Sequence, residues 1–174
     1  MDKIFDKLNS YNILNNIIPG SMFCYLLQYV CGIDLLRNSV VENLFIYYFV
    51  GMVMSRFGSL ILEPIVIKLK IVNYAHHSDY IVASQKDKKI DLLLETNNLY
   101  RTIAMSGLLI ILIKIYTILG YRISFLPDAT PYLIGVILFV LFLLSFRKQT
   151  GYIRKRVNQA LQNENKTNTE EDKS

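Results

Sequence analysis

The apolar residues of this 174-residue chain fall into four long blocks, and its charges lie almost wholly between them. A helix of ~20 apolar residues crosses the ~30 Å hydrocarbon core of a bilayer, and only helices or closed barrels satisfy their backbone there. Composition alone would not decide the matter, because the chain is 52% hydrophobic and an ordinary soluble domain is about half apolar as well. The blocked distribution argues for a membrane protein and against a soluble globular enzyme. It predicts an all-α polytopic membrane protein with four transmembrane helices at about 21–36, 40–62, 102–126 and 132–146.

Pro19-Gly20 interrupts the first block. Proline removes a backbone donor and glycine adds freedom, so the pair predicts a turn. Before it, Ile4, Leu8, Tyr11, Leu14 and Ile18 follow helical spacing among Asp, Lys and Asn, the pattern of an N-terminal interfacial helix lying in the membrane surface. Between spans two and three, residues 64–101 are too few for a separate domain and too many for a tight turn. They predict a cytoplasmic helical hairpin built from extensions of both spans. The polar tail, 157–174, cannot bury enough apolar surface to fold alone and is expected to be disordered. Residues 1–156 then form a single transmembrane helical domain.

The basic residues set the orientation. Lys3 and Lys7 precede span one. Lys68, Lys70, Lys86, Lys88, Lys89 and Arg101 lie between spans two and three, and Arg147, Lys148, Arg154, Lys155 and Arg156 follow span four. The opposite loops hold Arg37 and Arg122. The positive-inside rule then places both termini and the middle segment in the cytoplasm of a cell whose plasma membrane holds the protein.

Within the spans, Gly51, Ser55 and Ser59 recur every four residues and continue to Glu63. Small residues let helix backbones approach closely in lipid, so this stripe serves a subunit interface or pore, or packing inside one subunit. Gln28, on one face with Ser21 and Cys24, needs a polar partner or water, either at a pore or in an interhelical hydrogen bond. Arg56 lies about two turns from the cytoplasmic end of span two, within snorkelling reach. Lys114 lies near the centre of span three, where a charge is costly and functional by default. It faces a hydrated lumen or has a structural role, with Glu42 the nearest intramembrane carboxylate by depth.

No catalytic constellation is visible. His76 and His77 are adjacent, point about 100° apart on a helix and lack a supporting carboxylate or thiolate cluster, so neither a metal site nor a cofactor is expected. The basic residues Lys68, Lys70, Lys86, Lys88, Lys89, Arg101, Arg154, Lys155 and Arg156 have two readings. They set topology and touch anionic lipid, or they form an anion site for a nucleotide or oligonucleotide, with Tyr74, Tyr80 and Tyr100 available to stack on bases.

Three stretches bear on that choice. They are Asn12-Ile-Leu-Asn-Asn-Ile-Ile-Pro-Gly20, Ser78-Asp-Tyr-Ile-Val-Ala-Ser84 and Glu95-Thr-Asn-Asn-Leu-Tyr-Arg-Thr102. With the four-span layout, they resemble the small membrane effectors of bacterial anti-phage systems, in particular the Hailong-type ion-channel effectors. The resemblance implies a homo-oligomeric channel, a tetramer, in the bacterial inner membrane. It implies a partner nucleotidyltransferase whose nucleotide or single-stranded DNA oligomer controls the channel, and abortive infection as the outcome. The alternative from the residues alone is a non-conducting membrane anchor or scaffold that recruits a cytoplasmic partner.

Overall fold

A computed structural model describes the backbone of residues 2–171 except 76, 121 and 124, and side chains within 13–161 except 76–78, 85, 121 and 124. The chain is all-helical, with no strand among the described residues. Helix α1, Asp2–Leu26, continues into a π-helical turn at Leu27–Cys31. Helix α2, Val40–Phe57, continues through a second π-helical turn, Gly58–Leu62, into α3, Glu63–Lys68. Helices α4, His77–Lys86, α5, Lys89–Gly120, and α6, Leu126–Glu171, complete the fold. Three helical runs are long and apolar enough to cross a membrane: Val40–Lys68, Lys89–Gly120 and Leu126–Leu161.

Local chemistry explains most of the helix ends. Gly32 adopts φ +70° after the first π turn, and its N–H bonds the Gln28 carbonyl at 3.0 Å. A left-handed residue is the usual stop for a helix, and glycine takes it without steric cost. Ser39 caps α2, its hydroxyl accepting the Glu42 N–H. Lys70 stops α3 at φ +58°, with its N–H bonded to Ile67 and the Ile71 N–H bonded to Val66. That is a Schellman stop with lysine where glycine is usual. Asp87 caps α5, its carboxylate accepting the Lys89 N–H at 2.9 Å.

Several expected boundaries move. The helix does not end at Pro19-Gly20: α1 continues through the pair, and both residues are buried. Proline removes one hydrogen bond, and packing against a neighbouring helix holds the line despite it. The interfacial helix and first span are therefore one helix. Span three ends at Gly120 rather than 126, and the last span starts at Leu126, with Pro131 inside it rather than before it. Pro131 sits in the second turn, where it deprives only the Pro127 carbonyl of a helical partner. The expected paired extensions differ too. The extension of span two is the short α3, and α4 packs against α5 instead. Helix α6 continues to Glu171, into the segment read as a disordered tail. From Tyr152 to Glu171 there is no Gly or Pro to stop it, and extending an existing helix is far cheaper than nucleating one.

The core lies between α1, α2 and α5, where Phe23, Leu27, Val53, Met54 and Ile110 are buried together. Gly20 of α1 and Gly51 of α2 set the closest approach. A Cβ on Gly51 would strike the Asn16 carbonyl, and one on Gly20 would strike the Tyr47 carbonyl. The two backbones therefore touch directly, as small residues allow in lipid. Helix α5 adds Thr102 and Ser106, whose hydroxyls return to the Asn98 and Thr102 carbonyls at 2.7 and 2.9 Å. Helix α6 joins this core through Leu141, with Leu138 and Phe142 packed against it.

Candidate functional site

One group of polar residues lies at the basic end of the bundle, where α3 leaves α2. Pro64 initiates the arrangement. In the π turn the Glu63 N–H bonds the Gly58 carbonyl, five residues back. The next π bond would join residue 64 to Ser59, but proline has no N–H. The freed Ser59 carbonyl accepts from Lys148 of α6 at 2.7 Å, and the Ser59 hydroxyl accepts from the same Nζ at 2.8 Å.

Glu63 completes a three-helix ionic contact. Its Oε2 lies 2.6 Å from Nη1 of Arg101 on α5 and 3.6 Å from Nζ of Lys148. The Arg101 and Glu63 side chains are each 16% exposed, so water screens the pair weakly. Lys148 also lies 5.9 Å from the centre of the Tyr152 ring, a cation–π distance. One carboxylate thus holds cations from α5 and α6 to the end of α2.

Beside this contact is a cavity of about 250 Å³ between α1, α2 and α5. Asn15 and Asn16 line it from α1, Ser55 and Arg56 from α2, and Glu95, Asn98, Arg101 and Thr102 from α5. Two of its charged groups carry buried atoms with no protein partner: Oε2 of Glu95 and Nε of Arg101. Buried polar atoms without a protein partner are ordinarily met by water. The volume holds several waters at ~30 Å³ each.

The positions singled out in the sequence separate into different roles. Gly51 packs against α1, Ser55 lines the cavity, and Ser59 accepts from Lys148 on α6. A four-residue step drifts about 40° around a helix, so the stripe meets three partners in turn. Arg56 lines both the cavity and a small gap against Ser145 and Gln149. Gln28 lies at the opposite end, where its amide donates to Asp34 at 3.4 Å.

Lys114 lies less than two turns from the end of its helix. Helix α5 ends at Gly120, about 9 Å away along the axis. Its Nζ donates to the Val30 carbonyl at 2.8 Å, at the end of the first π turn. Glu42, in the first turn of α2, is not its partner; Lys114 finishes a helix C-terminus, where a cation is favoured.

The basic set is also divided. Arg101 is committed to Glu63. Lys68, Lys70, Lys86, Lys88 and Lys89 are exposed at helix ends and turns. Arg154, Lys155 and Arg156 are exposed on successive positions of α6, about 100° apart, so they do not share one face. Arg156 is close enough to Tyr80 of α4 to act on it electrostatically. Tyr80 donates to Asp91 at 3.0 Å and Asn97 donates to Tyr74 at 3.1 Å, which tie α4 and the preceding loop to α5. His76 lies outside the described residues, as does the His77 side chain.

Sequence reasoning missed Glu63 as a hub, and missed Lys148, Glu95, Asn98, Asn15 and Asn16. A signal existed for two of these: Glu95, Asn98, Arg101 and Thr102 follow helical spacing. No protein-family model matches the chain, and neither a curated protein nor a solved structure does.

Proposed function

We propose that the chain is a subunit of an oligomeric ion channel in a bacterial inner membrane, acting as the effector of an anti-phage system. In this reading α1 crosses with the other three. Its stretch 12–31 is about 30 Å long, the thickness of the hydrocarbon core. Four crossings put both termini and α4 on the cytoplasmic side, in accord with the positive-inside rule. The defence role and the partner nucleotidyltransferase rest on the resemblance of the three quoted stretches.

The observation that carries the channel reading is the polar cavity at the basic end, with Arg56 and Arg101 in its wall. Ionisable groups within membrane-spanning helices are taken by default as marking ion or substrate routes. The Glu63 contact supplies a means of control. A nucleotide or nucleic-acid oligomer at Lys86, Lys88 and Lys89 would pull on α4 and the start of α5. Arg101 lies about 18 Å further along α5, so a shift of that helix loads its bond to Glu63. Arg101 belongs in this reading to the transmission and not to the ligand.

Single-channel recording of the purified protein in a planar bilayer tests the proposal, with short single-stranded oligonucleotides added on the side carrying α4. The expected result is discrete conductance that changes with the oligonucleotide. Reversing charge at Lys86, Lys88 and Lys89 should remove that response while leaving conductance. Silence with and without oligonucleotide, with insertion verified, overturns the channel. One observation favours the anchor in that event. Helix α6 has 46 residues, about 69 Å of rod, more than twice the hydrocarbon thickness, and the excess would project as a docking arm.

A further inference from the structure

A second cavity is larger than the polar one. It is an open groove of about 770 Å³ between the second π turn and α6. Phe57, Leu60 and Ile61 form one wall, and Val136, Val140 and Leu144 form the other. At the basic end the lining changes to Arg147, Gly151 and Lys155. The α6 residues are spaced by three or four, so they make one continuous stripe along the helix.

Three features specify an occupant. First, the apolar wall from Val136 to the first cation at Arg147 spans eleven residues, about 16 Å, which is one leaflet of a ~30 Å hydrocarbon core. Second, Arg147 and Lys155 are exposed and two helical turns apart, with Gly151 between them. A Cβ on Gly151 would meet nothing within 4 Å, so the space between the cations is open. Third, the neighbouring cation is already used: Lys148 donates to Ser59 and lies beside Glu63. The groove is therefore apolar for the depth of a leaflet and positively charged at the headgroup level.

We infer that this groove binds one anionic phospholipid of the leaflet on the basic side, its acyl chain against Val136, Val140 and Leu144 and its phosphate between Arg147 and Lys155. Charge complementarity chooses the occupant. A second copy of α6 would bring its own Arg147 and Lys155 to a site that is already basic. The inference rests on the membrane reading and not on conduction, so it stands or falls separately from channel activity. A lipid seated there would lie directly against the helix that carries Lys148, and so beside the Glu63 contact.

Native mass spectrometry of the full chain in detergent, titrated with phosphatidylglycerol and separately with phosphatidylcholine, tests the site. Phosphatidylglycerol should bind in preference. The double variant R147Q/K155Q should bind it roughly thirty-fold less tightly, the loss expected for two basic side chains near an anionic headgroup. The double variant K68Q/K70Q, with the same change of charge at the end of α3, should bind as the parent does. Equal losses in both variants, or no preference for the anionic lipid, would overturn the site. V140W, which fills the groove wall, should also lower phosphatidylglycerol binding without altering the oligomer distribution. Dissociation of oligomers with lipid binding intact would assign the groove to a second copy and end the proposal.

Discussion

Helix α2 meets α1 and α6 in opposite ways. Against α1 it places Gly51 on a backbone carbonyl, so the two helices touch without intervening side chains. Against α6 it leaves an open groove and is joined at the basic end by Lys148, Ser59 and Glu63. The first contact is steric and short-ranged and has one arrangement. The second is ionic and has room to change. Packed cores have discrete arrangements rather than continuous ones, so a conformational response in this subunit belongs to α6 and the basic end, with α1, α2 and α5 as the frame.

The largest effect should come from breaking the frame. Gly51→Val places branched carbons where the Asn16 carbonyl now lies. The backbone cannot yield as a flexible side chain would, and overpacking costs of more than ~4 kcal/mol are reserved for such sites. Thermal unfolding in detergent should show loss of the cooperative transition. Ser55→Val, one turn away beside the cavity, should leave a transition within a few degrees of the parent. Equal effects at the two sites would mean that the helices are not in backbone contact.

Next comes the ionic seam. Glu63→Gln leaves Arg101 and Lys148 without their carboxylate. Removing one partner of a buried pair costs about 3–5 kcal/mol. These groups are only partly buried, so about half of that is expected. Because Arg101 sits on α5 and Lys148 on α6, the variant should raise hydrogen exchange at the basic ends of both helices and leave α1 unchanged. Uniform exchange across all helices would show that the seam is no softer than the frame.

The two lysines that reach carbonyls give a finer contrast. Each serves an oxygen freed at a π turn, Lys114 at Val30 and Lys148 at Ser59. Lys114 does nothing else among the described residues, whereas Lys148 also faces Glu63 and Tyr152. Lys114→Met should cost about 1–2 kcal/mol, one unsatisfied carbonyl at a partly exposed site. Lys148→Met should cost more, and the excess should vanish in a Glu63→Gln background. An additive double-mutant cycle would remove Glu63 from the account of Lys148.

The contrast between frame and seam was only half legible in the sequence. The apolar blocks at about 40–62, 102–126 and 132–146 each announced a helix, found as the runs Val40–Lys68, Lys89–Gly120 and Leu126–Leu161, because length and composition are local properties. The Gly51 stripe and the exceptional status of Lys114 and Arg56 were visible for the same reason. Pro19 misled: a proline reads as a break until a neighbouring helix is known to pack against it, and that neighbour lies some thirty residues away. The Glu63 contact was hidden more deeply. It joins residues 38 and 85 positions apart along the chain, and Lys148 is also held by a carbonyl in a π turn that no hydropathy pattern announces. Lys114 stood out as a cation in an apolar run, but its place near a helix end did not, since the end of α5 at Gly120 could not be told from the apolar run that continues to Leu126.

The smallest effect offers the most direct report on whether α6 stays seated. Burial raises the Tyr80 pKa above the usual phenol value, the hydrogen bond to Asp91 and that carboxylate's charge raise it further, and Arg156 of α6 works in the opposite direction. A raised acid pKa means that the native state favours the protonated phenol. Its contribution to stability is present below the unfolded value of about 10 and is lost as pH rises through the folded value. The phenolate absorbance of the parent minus that of Tyr80→Phe isolates this group from the other tyrosines. Arg156→Gln should shift its titration to higher pH. Glu63→Gln should shift it the same way if losing the ionic seam lets α6 move away from Tyr80, because the favourable charge of Arg156 then leaves with the helix. An unchanged Tyr80 titration in Glu63→Gln, with Arg156→Gln still effective, would mean that α6 is held by its apolar contacts at Leu141 and not by Glu63. The movable element would then have to be sought in α4 and the first turns of α5.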